Sequence, residues 1–142
     1  MSLSIVTAGD ILKLYLQATA VANIADNAAS APITNIYVSL HTADPGASGN
    51  QSTSEVAYTS YARVAVARTS GGWSVTDDHA SPVAEISFPA GTGGSGTATY
   101  AALGTAVSGT GKIIASGAIS PSIVCGNGIT PILKTDTTLT LS

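Results

Sequence analysis

The chain has 142 residues, of which 9% are charged, with a net charge of −3. Five Lys and Arg residues cannot form the basic stripe that nucleic-acid binding needs. No apolar run approaches the ~20 residues of a membrane-spanning helix, and the lone cysteine, Cys125, excludes an internal disulfide framework. An ordinary soluble domain carries about 25% charged residues. So little charge, with abundant Ala, Ser, Thr and Gly, points to a surface that meets other protein, because interface cores are depleted in charge.

The N-terminus, MSLSIVTAGDILKL, has neither the basic region nor the apolar stretch of a signal peptide. It predicts a helix, with Thr7 as cap and Asp10 completing a capping box. Ile11, Leu14, Tyr15, Ala18 and Val21 then form one apolar stripe at helical spacing. Residues 26–32 are small and polar, a turn or linker. From Ile33 the chain reads as short strands separated by Gly, Pro, Ser and Asp. Residues 33–41 alternate, with Ile36, Val38 and Leu40 on one face and Tyr37, Ser39 and His41 on the other. A second strand is predicted over 58–68, with Ala62, Val64 and Val66 opposite Tyr61, Arg63 and Ala65. Further strands are expected at WSVT, VAEISFP (Ala84, Ile86 and Phe88 inward), TATYAAL, KIIASGAI, SIVCG, ITPILK and TLTLS. The fold class is mainly β: a single β-sandwich or jelly-roll-like domain with one N-terminal α-helix. Residues 1–32 form the helical segment and 33–142 the β body.

Four stretches bear on chemistry. GTGGSG matches a dinucleotide fingerprint through Gly91, Gly93 and Gly96. The fingerprint needs a following helix and an acid about 20 residues on. A strand follows instead, and no acid lies between Glu85 and Asp136, so the stretch reads as a mobile surface loop. Asp77, Asp78 and His79 are adjacent acids and base, but neighbours in sequence rarely converge on one ion, and a solvated loop is the simpler reading. Cys125 has no basic residue nearby in sequence to lower its pKa and reads as a buried inert thiol. No nucleophile elbow is followed by a helix. The sequence predicts no catalytic, cofactor-binding or metal-binding residue, and hence no enzyme.

The fourth stretch is YVSLHTADPG. Pro45 sets up the second position of a type II turn, Gly46 supplies the positive φ of the third, and Thr42 and Asp44 bond nearby amides. His41 lies opposite the core face, free to bond a loop carbonyl. His41, Thr42, Asp44, Pro45 and Gly46 are therefore read as a structural turn.

The same residues carry a family resemblance. Leu40, His41, Thr42, Asp44, Pro45 and Gly46, then Tyr61, Ala62 and Arg63 after a loop holding Glu55, then Phe88 to Ala90, resemble the L-H-T-x-D-P-G and Y-A-R pattern of a group of small virion proteins of tailed bacteriophages. The chain departs from that pattern after TATY, where Ala101, Ala102 and Leu103 stand in place of an aromatic or His. The resemblance implies a structural part of the virion, made in the host cytoplasm.

Size, low charge and missing chemistry favour a capsid decoration (cement) protein that stabilises the shell. On this reading the partners are the major capsid protein and sister subunits, most naturally in a trimer at local three-fold sites. The alternatives are a tail, baseplate or tail-fibre-associated protein that contacts tail proteins, and a carbohydrate-binding adhesion module with Trp73 as stacking platform. Leu3, Ile5, Val6, Ile11 and Tyr15 are the candidate interface residues. Neither nucleic acid nor membrane is expected as a partner.

Overall fold

The computed structural model describes residues 4–21 and 32–141; Leu3 and most of the expected 26–32 linker lie outside them. The chain is mainly β with one N-terminal helix. After α1 (Ile5–Gln17) come β1 (Asn35–His41), β2 (Val64–Ala67), β3 (Trp73–Thr76), β4 (His79–Pro82), β5 (Ile86–Ser87), β6 (Ser95–Gly104), β7 (Ile113–Gly126), β8 (Ile132–Leu133) and β9 (Leu139–Thr140). They form a four-stranded sheet β2-β1-β6-β7, a three-stranded sheet β3-β4-β9 and the pair β5-β8. The chain divides into two compact units. One holds Met1–Asn35, Val66–Glu85 and Lys134–Ser142; the other holds Ile36–Ala65 and Ile86–Leu133.

In the first unit, α1 packs on β3 and β4. Ser4, rather than Thr7, is the N-cap: its hydroxyl accepts from the Thr7 amide at 3.2 Å. The helix thus begins one turn earlier than the capping box suggested. Its buried face is Ala8, Gly9, Leu12 and Leu16, while Ile11 is half-buried and Tyr15 is 42% exposed. Both stripes satisfy helical spacing because the helix is apolar nearly all round. The small residues decide between them, since a Cβ on Gly9 would overlap the carbonyl of Asp77 in the β3–β4 turn. Asp77 takes a left-handed φ of 53° there, and the strands pair from Thr76↔His79 to Trp73↔Pro82. At the other end of α1, the Arg68 guanidinium donates to the carbonyls of Tyr15 (2.6 Å) and Leu14 (2.5 Å). That places a cation at the negative end of the helix dipole.

In the second unit, β1–β6 and β6–β7 are antiparallel, with Leu40↔Ala101 and Ala101↔Gly117 in register. Ile36, Val38, Leu40, Val56, Tyr58, Ile86, Phe88, Ala98, Ala102, Cys125 and Leu133 are buried. Ile86 and Phe88 point inward as their alternation requires, whereas Ala84 is exposed. The strand predicted over 58–68 is shorter, because Ser60 takes φ 81° and the Tyr61 amide closes a turn onto the Tyr58 carbonyl. Ala62 is exposed and Arg63 buried. GTGGSG is a close-packed crossing: the Gly91 amide bonds Ile129, the Gly91 carbonyl accepts from Gly128, and a Cβ on Gly91 would overlap the carbonyl of Gly126.

Candidate functional site: a buried polar lock

The polar side chains expected at the corner after β1 converge on one network within the second unit. His41 is fully buried, so each of its polar atoms needs a partner. Nδ1 donates to the Thr53 carbonyl at 2.8 Å, and Nε2 bonds the Ser39 hydroxyl at 2.9 Å. The Thr42 amide and hydroxyl both donate to the Ser54 carbonyl (2.8 and 3.1 Å). Asp44 Oδ1 accepts from the Gly46 amide at 2.9 Å. Gly46 has φ 75°, but the turn hydrogen bond lies two residues further on than that of a Pro45–Gly46 type II turn, running from the Gly49 amide to the Gly46 carbonyl. Pro45 is buried and so serves packing as well as the corner.

The loop that begins at this corner returns through Glu55, which is bridged to His41. Arg63 grips the carboxylate with both arms, Nε to Oε1 at 2.7 Å and Nη2 to Oε2 at 2.8 Å. The side chains are 2% and 17% exposed. The hydrogen bond that Arg63 donates to Glu55, ahead of the burial that opposes it, raises the Arg63 pKa, so this cation persists at every pH of interest. Tyr61 donates to Glu55 Oε1 at 2.9 Å and accepts from the Leu40 amide at 3.1 Å. Burial is the main cause that pushes the Tyr61 phenol well above its ordinary range. The remaining Arg63 donors reach the β6–β7 loop, at the carbonyls of Ala106 (3.0 Å) and Gly109 (2.7 Å). Gln51, also fully buried, inserts between Gly104 and Gly111, where any Cβ would collide with its amide. It bonds the Tyr37 carbonyl and the Ala106 amide.

The network does no visible chemistry: each polar head is engaged by the protein itself. The loop acid, the tyrosine and the arginine were legible as motif letters but had no assigned job. The available signal was the spacing Tyr-x-Arg after a lone acid in a nearly uncharged stretch, where a buried cation requires its counter-ion. Elsewhere, His79 pairs with Asp78 on an exposed turn. Among the described residues, no three His, Cys, Asp or Glu are grouped to hold a metal. Trp73 is 2% exposed and offers no stacking face; among the described residues its indole N–H has no partner. Burial pushes the Cys125 thiol up. Of the candidate interface residues, Ile5 (55%), Val6 (69%) and Tyr15 are exposed.

Among comparisons with known proteins, the family model for podophage GP4 fiber I protein gp80 matches residues 8–140. No curated protein matches the chain. The match runs through α1, both compact units and the whole lock, and the chain therefore belongs to the podophage GP4 fiber I protein gp80 family, a family of structural proteins of tailed bacteriophages.

Proposed function

We propose that the protein is a non-enzymatic structural subunit of the virion, built into or onto a tail fibre. The family match over residues 8–140 carries this reading, since the family takes its description from a fibre protein. The geometry agrees with it. Glu55, Tyr61, Arg63, His41 and Gln51 are all spent on holding a loop to a sheet, which is what a scaffold requires and what a catalytic site does not. Shell decoration, favoured by size and charge alone, is the weaker reading, because the family description names a fibre. The carbohydrate-binding alternative lacks its platform now that Trp73 is buried. Gold-labelled antibody against the protein, imaged on intact particles, tests the assignment. Label along fibres is the expected result, and label spread over the icosahedral shell returns the decoration role.

A further inference from the structure

Burial falls away across the four-stranded sheet. On one face Leu40 of β1 is fully buried, its partner Ala101 on β6 is half-buried, and Gly117 on β7 is exposed. On the other face Ser39 and Ala102 are buried and Ser116 is exposed. β7 is the last strand of the sheet. Among the described residues, no backbone hydrogen bond reaches the outer edge of 113–118.

Soluble proteins protect such edges with charge, proline or bulges. In β7 the register shifts at both ends of a short stretch, between Ile113 and Ala115 and again past Ala118, where Pro121 intervenes. The four residues between, Ala-Ser-Gly-Ala (115–118), pair regularly and are uncharged, and Lys112 is the one charged residue anywhere in 86–133. Gly117 adds an independent observation. Its φ is not left-handed, and a Cβ there would meet nothing within 4 Å. Glycine weakens a strand interior and marks close approach by another backbone, and the described residues supply none.

We propose that residues 115–118 of β7 pair antiparallel with the same segment of a second copy, joining two four-stranded sheets into one of eight strands. Two observations select a second copy. The segment has no charge for an acidic or basic partner to recognise, and like meets like across a two-fold axis without repulsion. The donors and acceptors of an antiparallel edge are self-complementary. This inference goes beyond the fibre reading and does not depend on it.

Sedimentation of the purified full chain, from micromolar to millimolar concentration, tests the pairing. The wild type is expected to sediment as a dimer. Gly117→Glu and Ser116→Lys, both at open positions, are expected to sediment as monomers with an unchanged far-UV spectrum. Val107→Lys, on the exposed loop before β7, is expected to stay dimeric. Hydrogen exchange on the wild type needs no variant: outer-edge amides of 115–118 are protected when concentrated and exchange fast on dilution. A monomeric wild type, a smallest assembly that is a trimer, or an oligomer that survives both charged substitutions overturns the proposal. Antibody position on the virion does not enter these measurements, so the two readings fail separately.

Discussion

Arg63 is the residue on which most of the second unit's polar order converges. A buried ion pair adds little net stability, because desolvation offsets the attraction, but removing one partner strands the other. Arg63→Ala therefore leaves Glu55 uncompensated and also frees the carbonyls of Ala106 and Gly109. The expected loss is roughly 3–5 kcal/mol, measured by denaturant unfolding. Replacing both partners, as in Glu55→Leu with Arg63→Met, should recover much of it. A double variant no more stable than Arg63→Ala alone would mean that the carbonyl contacts, and not the charge, dominate. His41→Ala removes a fully buried ring and orphans the Thr53 carbonyl and the Ser39 hydroxyl. A loss of about 2–4 kcal/mol follows from cavity and hydrogen-bond terms together. An unchanged midpoint would show that water enters and satisfies both groups.

At the scale of elements, the corner after β1 and the face of α1 carry the clearest tests. A Cβ added at Gly46 meets no atom within 4 Å, so the cost of Gly46→Val is chiefly conformational: a β-branched residue forced to φ 75°. About 1–2 kcal/mol is expected in thermal unfolding, and unchanged melting would show that the corner re-forms without a positive φ. These elements also show what the sequence could and could not reveal. The strand β1, the positive φ of Gly46 and the inward Ile86 and Phe88 follow from alternation and turn chemistry, which are local. The helix face was misread because Ile11, Leu14 and Tyr15 repeat at the same period as Ala8, Leu12 and Leu16. Only the distant Asp77 carbonyl, pressing on Gly9, distinguishes the two stripes. The burial of Arg63 does not follow from alternation, which assumes an unbroken strand over 58–68, and the left-handed Ser60 breaks it. The polar lock was invisible for the same reason. Its partners sit on three loops whose meeting is a property of the sheet, and no window of sequence contains it.

For the whole molecule, pH is the informative variable. Burial holds the Tyr58 and Tyr61 phenols and the Cys125 thiol above their ordinary values of 10.0, 10.0 and 9.0. In the unfolded chain these groups release protons near those values, while the folded chain retains them. The folded state then binds more protons, and stability, fully present below about pH 9, falls as pH rises. Each group adds a slope of at most about 1.4 kcal/mol per pH unit. Tyr61→Phe should lower stability at neutral pH, by losing the bonds to Leu40 and Glu55, and yet flatten the alkaline decline. A variant with the wild-type slope above pH 10 would show that another group drives it.

The chain's one thiol has a further use. Cys125 is 1% exposed on β7, opposite Gly96 of β6, and its burial-raised pKa keeps it protonated and unreactive. A thiol reagent reaches it only when this part of the sheet opens, so the protein carries a built-in clock for that event. If the two compact units open independently, labelling will run ahead of, or lag behind, the fluorescence change of Trp73, which lies in the other unit. If they open as one, the two signals will share a single rate at every denaturant concentration.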